Sequence, residues 1–199
     1  MKISTGFSLI EMTIVLLIIS LLIGGLLAPL SAQMTQQQIK LTHATLQEIK
    51  ESLLGFAVIN QRLPCPDTDN NGLENLPCDG SEGFLPWIDL NVGKEDAWGR
   101  PFRYRVITNY TTTINFLGAT SNLRIKDFAG NFLTPQSSDS GIAAIIFSYG
   151  RDGLPFSEND GSDLIYTEDA YVDNRFDDIM IRISSNTLYN RLIATGRYW

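Results

Sequence analysis

The feature that most constrains this chain is the run from Phe7 to Leu30, in which Glu11 is the sole ionisable side chain among Ile, Leu, Val and Met. About 20 apolar residues in a helix cross the hydrocarbon core of a bilayer, so the run is long enough to span one. Its length does not explain Glu11. An unpaired carboxylate in hydrocarbon costs at least a few kcal/mol, and ionisable residues in such segments usually mark a function with a nearby partner. A cleaved secretory signal fits poorly, because it needs a basic start and an apolar core of only about 7 to 15 residues; here the start holds Lys2 alone and the run is longer. A plain single-span anchor fits the length and leaves Glu11 without a role.

The chain has 199 residues, and about 170 remain after the apolar run, enough for one globular domain with a modest core. The formal charge is −7, from 15 Lys and Arg against 22 Asp and Glu, which argues against a nucleic-acid partner. The acid is clustered. Residues 67 to 96 carry Asp67, Asp69, Glu74, Asp79, Glu82, Asp89, Glu95 and Asp96 against Lys94, and residues 152 to 178 carry nine acids against Arg175. Such clusters are either solvated loops or oxygen donors for calcium. The two cysteines, Cys65 and Cys78, each follow Pro in a polar stretch. If the amino-terminal segment exports the rest of the chain, an oxidising compartment favours a disulfide between them over two free thiols.

Along the chain, Gly24, Gly25 and Pro29 loosen or bend the apolar helix. Ile39, Thr42, Leu46, Ile49, Leu53 and Phe56 then recur at spacings of three and four, predicting an amphipathic helix over 31–60. Unbroken from Phe7 to Asn60, such a helix is about 80 Å long. His43 falls beside the stripe and reads as a surface residue. Pro64 and Pro66 stop the helix. Asp67, Asp69, Asn71 and Gly72 have the opening spacing of a calcium loop, but Cys78 stands where a bidentate Glu is wanted. An abbreviated metal site and a metal-free loop of Asx turns both fit.

Phe102, Tyr104 and Val106 alternate with arginines, predicting a half-buried strand after the Gly99 to Pro101 turn. Thr111 to Leu117 and Leu123 to Phe128 read as short polar strands or a hairpin. Ile142 to Tyr149 is the strongest strand and apolar enough to be central. Asp178 to Ser184 reads as the last strand. Ser185 to Gly196 reads as a helix with a Ser cap, a Gly stop, and Leu188, Leu192 and Ile193 on one face.

Met1 to Gly6, the sequence Phe7-Ser8-Leu9-Ile10-Glu11-Met12 and the apolar run after it resemble the class III signal of type IV pilins and type II secretion pseudopilins. That signal is a short leader ending in Gly, then Phe, a glutamate at the fifth mature position and a hydrophobic helix. The resemblance implies that an inner-membrane prepilin peptidase cuts between Gly6 and Phe7 and methylates the new amine of Phe7. It also implies that Glu11 neutralises that amine on a neighbouring subunit, fixing register where neither charge has water.

Two further blocks narrow the resemblance. Glu95 to Val106 is similar to the Asp-Pro-Trp-Gly-x-Pro-Tyr block of the major type II pseudopilin, with Ala97 and Phe102 at the Pro and Tyr positions. Trp87 and Trp98 are read accordingly as packing residues. Gly150-Arg151-Asp152-Gly153, with Asn159 to Leu164 beyond it, resembles the calcium-binding loop of the same family. By that resemblance Asp152, Asp160 and Asp163 are the ligands, while Glu168, Asp169 and Asp173 in the insertion from Tyr166 to Phe176 compete for the ion.

The organisation implied is a leader (1–6), a transmembrane and assembly helix (7–30), its amphipathic continuation (31–62) and a periplasmic or extracellular domain (63–199). The fold implied is α+β and pilin-like, a long amino-terminal helix packed on a mostly antiparallel sheet. The function implied is a structural subunit of a type II secretion pseudopilus, single-pass in the bacterial inner membrane. Its partners are other pilin or pseudopilin subunits, prepilin peptidase and the assembly platform. A minor or major type IV pilin and a membrane-held, calcium-dependent adhesin are the alternatives. An enzyme is not expected: the chain lacks a Gly-rich phosphate loop, a Gly-x-Ser-x-Gly elbow and a His-Glu-x-x-His motif.

Overall fold

The computed structural model of the chain describes residues 6–113, 119–135, 140–173 and 175–196, and only the backbone of residues 25–29. The leader residues 1–5 and most of the expected strand at 111–117 thus lie outside the described residues. The chain forms two compact units, one ending at Gln38 and one beginning at Ile39.

The first helix, α1 (Leu9–Asn60), contributes to both units. In the amino-terminal unit its large apolar side chains are exposed on every side, from Leu9 through Ile14 and Leu17 to Ile23. Among the described residues no helix is long and apolar enough to cross a membrane. Described side chains from Leu9 to Gly24, apolar apart from Glu11, Thr13 and Ser20, cover about 24 Å of helix against a core of about 30 Å. The expected span 7–30 is therefore described only in part.

In the second unit α1 buries the predicted stripe: Ile39, Thr42, Leu46, Ile49 and Leu53 are buried, joined by Leu54 and Ala57, while His43 is exposed. Phe56 lies at the edge, half-buried, with the Arg62 guanidinium over its ring. The helix ends before the prolines are reached, because Gln61 adopts φ 56° and donates its N–H back to the Ala57 carbonyl at 2.8 Å. The next loop is closed by the Cys65–Cys78 disulfide, with the Cα atoms 5.3 Å apart.

The strands are β1 (Gly83–Phe84), β2 (Arg103–Val106), β3 (Arg124–Lys126), β4 (Ile142–Ser148), β5 (Ile165–Thr167) and β6 (Ile179–Ser184). A one-turn helix, α2 (Trp87–Leu90), comes after β1, and α3 (Ser185–Ala194) closes the described chain. The main sheet has the order β1-β2-β4-β6, antiparallel throughout. All seven residues of β4 are buried, as its continuous apolar run requires of an inner strand. Its side chains and those of β2 and β6 share one hydrophobic core with Leu46, Ile49, Leu53 and Ala57 of α1. The fold is thus α+β with a mostly antiparallel sheet.

Leu123 to Phe128 contains an expected short strand, β3, which pairs in parallel with β5 and also makes a local antiparallel bridge between Lys126 and Phe132. Two expectations are corrected. On β2 the alternation does not separate a wet face from a dry one: Arg105 is buried with Tyr104 and Val106, because Tyr166 and the turn before β5 cover that face. On α3 the cap is Ser184, whose hydroxyl accepts the Thr187 N–H at 3.1 Å, and Leu188 and Leu192 are buried while Ile193 is exposed.

Candidate functional site

Gly6 and Phe7 lie ahead of α1, both exposed, Phe7 at 83 %. A Cβ built on Gly6 meets nothing within 4 Å. The bond between them is therefore accessible. Glu11 has a partner inside its own chain: its Oε2 accepts the Ser8 N–H at 3.0 Å, and the Ser8 Oγ accepts the Glu11 N–H at 3.2 Å. This is a capping box, which satisfies two of the orphan donors at the helix start and places a negative charge where the helix dipole favours it. The Ser-x-x-Glu spacing ahead of an apolar run is readable in the sequence, and reading Glu11 only through a neighbour's amine misses it. Thr13 and Ser20 return their hydroxyls to the Ile10 and Leu16 carbonyls, each at 2.8 Å. Each polar side chain from Ser8 to Gly24 thus has a hydrogen-bond partner in its own segment.

The Trp98 block and the Gly150–Gly153 turn, far apart in sequence, are joined. Buried Asp96 accepts the backbone N–H groups of Trp98 at 2.8 Å and Arg100 at 2.9 Å, and its second oxygen accepts the Ser148 hydroxyl at the end of β4. Ser148 Oγ accepts the Gly150 N–H at 2.9 Å. Arg100 then donates to the Arg151 carbonyl at 3.0 Å. Its guanidinium lies so close over Gly153 that a Cβ there would stand 1.9 Å from Nη1. Neither Asp96 nor Arg100 stood out in the sequence as a junction, because their partners lie on a distant strand and turn.

Each candidate calcium ligand accepts a hydrogen bond from the backbone of its own loop. Asp67 is fully buried; its Oδ1 accepts the N–H groups of Asp69 and Asn71 at 3.2 Å each, and its Oδ2 accepts the Gly72 N–H at 2.6 Å. Asp69 Oδ2 holds the Asn71 amide at 2.9 Å, and Asn71 Oδ1 accepts the Leu73 N–H at 2.8 Å. Gly72 sits at φ +91°, with the side chains of Ile88 and Trp87 2.7 Å from where a Cβ would be. The loop is a nest of amides around a carboxylate.

Asp152, Asp160 and Asp163 are exposed, and each caps its own turn, accepting the N–H of Leu154, Ser162 and Ile165 respectively. The Ser162 hydroxyl and N–H hold the Asp160 carboxyl below its ordinary range. Among the described residues no group of three or more His, Cys, Asp or Glu side chains is arranged to hold a metal ion.

Asp177 and Asp178 precede β6. Asp177 Oδ2 accepts the Asp152 N–H at 2.8 Å; burial, with the Asp152 charge adding to it, raises the Asp177 carboxyl. Asp178 is buried, and its Oδ2 accepts from Phe156 N–H at 3.0 Å and from the Asn159 amide at 2.7 Å. Its Oδ1 has no hydrogen bond among the described residues. Burial pushes the Asp178 carboxyl up to about 6, and the two donors offset it only in part. Beside these turns lies an open cleft of about 600 Å³, lined among others by Arg151, Asp152, Phe156, Tyr171, Asp173 and Asp177. Arg151 and Asp173 pair at 3.2 Å on its wall.

Comparison of the chain with protein-family models, with curated proteins and with solved structures returns no match.

Proposed function

We propose that this chain is a pilin-like structural subunit, held in the bacterial inner membrane and assembled into a type II secretion pseudopilus through its amino-terminal helix. The observation that carries the reading is the Gly6-Phe7 bond and Glu11 at the head of a helix that is exposed and apolar all round in its first unit. A helix of that kind needs lipid or other helices around it. In the second unit the same helix supplies the spine of the core. Prepilin peptidase would free the Phe7 amine, and copies of this chain or related subunits, engaged by the assembly platform, would cover the apolar surface. The Cys65–Cys78 disulfide is in keeping with a domain outside the cytoplasm. A type IV pilin subunit is the nearest alternative. The Trp98 block and the turn at Gly150, which Arg100 joins, favour the secretion reading because both resemble the major pseudopilin. An adhesin held by the same helix would bind a surface glycan or host protein without co-assembling.

The capping box makes a sharper test of Glu11 available. Glutamine preserves a capping box but carries no charge. If Glu11 pairs with a neighbour's amine, Glu11→Gln loses assembly as fully as Glu11→Ala. A charge-assisted hydrogen bond of about 1.5–3 kcal/mol per contact translates into about a tenfold or greater drop in filament recovered. Both variants are expected to remain membrane-inserted. Measuring filament in sheared fractions checks this, and normal assembly of Glu11→Gln would reduce the acid to a helix cap.

A further inference from the structure

On the far side of β2 from the strand's apolar residues, Arg105 reaches the turn before β5. It is buried, 8 % exposed, and its Nη1 donates to the Gly161 carbonyl at 3.0 Å, the Asp163 carbonyl at 2.7 Å and the Tyr166 hydroxyl at 3.1 Å. The Tyr166 hydroxyl donates to Glu82 Oε2 at 2.7 Å, and Glu82 Oε1 accepts from Arg103 Nε at 2.9 Å and from the Tyr149 hydroxyl at 3.2 Å. Glu82, its side chain only 3 % exposed, forms its ion pair with Arg103 and reaches Arg105 through the Tyr166 hydroxyl.

The rest of the turn is equally committed. Asn159, fully buried, pairs with β5 like an extra strand residue, its Oδ1 accepting Thr167 N–H at 2.7 Å and its amide donating to the Thr167 carbonyl at 3.0 Å. Glu158 pairs with Lys126 on β3. The carboxylates of Asp160 and Asp163 hold the Ser162 and Ile165 amides. A calcium ion on the free lone pairs of the Gly161 and Asp163 carbonyls would share them with a guanidinium, and two cations on common acceptors repel.

We infer that Arg105, and not a metal ion, is the cation of the 159–163 turn, clamping it and β5 onto β2 of the main sheet. The residues that resemble a calcium loop do not fit the ion here: Arg105 takes the Gly161 and Asp163 carbonyls, Asp160 and Asp163 each give one carboxylate oxygen to an amide of the turn, and among the described residues no three acids converge on one point. This assignment stands whether or not the chain assembles into filaments.

The test is a melting series on the full chain in detergent, each protein in about 1 mM calcium chloride and in EGTA, where a site of micromolar affinity shifts Tm by about 10 °C. The double variant Asp160→Asn, Asp163→Asn keeps the acceptor oxygens of both turns and removes both charges. Its Tm is expected to respond to calcium as the wild type does. Arg105→Gln is expected to lower Tm by about 10 °C, equally in calcium and in EGTA. Arg105→Lys, which keeps the charge without the planar fork, should fall between the two. A calcium-induced rise in the wild type that disappears in the double Asn variant overturns the assignment, as does an Arg105→Gln protein that melts with the wild type. The double Asn comparison leaves Arg105 in place, so it decides the point even where Arg105→Gln fails to fold.

Discussion

Replacing Asp67 by alanine is expected to destabilise the protein by about 4 kcal/mol, by the same amount in calcium and in EGTA. The carboxylate is fully buried and takes three backbone N–H groups, of Asp69, Asn71 and Gly72. Removing it leaves the Gly72 amide, at least, buried without an acceptor, and hydrogen bonds to a charged group contribute about 1.5–3 kcal/mol each. The same residue brackets β1, its backbone N–H and carbonyl pairing with Phe84 at 3.0 and 2.7 Å, so a slackened loop loosens the sheet edge too. Asp67→Asn retains one acceptor oxygen and should lose roughly half as much. Urea unfolding of the full chain in detergent measures both. A loss for Asp67→Ala below about 1 kcal/mol, or one seen only with calcium present, would contradict the nest of amides around this carboxylate.

The second large effect depends on pH. Asp178 has its carboxyl raised to about 6 by burial, against an ordinary value near 4 for an unfolded chain. The folded state therefore holds the Asp178 proton more tightly than the unfolded state. The stability this group contributes is fully present below about pH 4 and is lost as pH rises through about 6, a difference of about 3 kcal/mol. Asp177, raised mainly by burial, pulls in the same direction. Asp178→Asn keeps an acceptor for Phe156 and Asn159 and cannot ionise. Relative to wild type it should gain about 3 kcal/mol between pH 4 and pH 8, whatever constant offset the amide introduces. Parallel urea titrations of the two proteins across that range give the difference directly. A flat difference would mean that Asp178 ionises in the fold as easily as in water.

Where the sequence was legible, periodicity made it so. The spacing of Ile39, Thr42, Leu46, Ile49 and Leu53 can bury a side only on a helix, and the continuous apolar run of β4 can be satisfied only between two other strands. The alternation of Phe102, Tyr104 and Val106 with arginines misled for the opposite reason: period two locates two faces but does not say that both are covered. Nothing local marks β3 as a parallel partner of β5, since the pairing joins segments about forty residues apart. Oxygens at alternate positions, as in Asp67, Asp69 and Asn71, serve a calcium ion and a run of Asx turns equally well. The choice rests on where the amides point, which spacing does not encode. Arg105 matches no motif position, and the motif around Asp96 does not name its partner; the importance of each comes from the distant strand or turn it meets. By contrast, the Ser8–Glu11 box was in plain view and gives Glu11 a role in the single chain alongside the proposed role between chains.

The assembly reading rests on the bond between Gly6 and Phe7. Its most direct test is mass spectrometry of the amino terminus of the protein purified from membranes of cells that contain a prepilin peptidase. The expected result is a chain that begins at Phe7 and carries one methyl group on its α-amine. An intact leader, or a terminus at any residue other than Phe7, would contradict the proposed function.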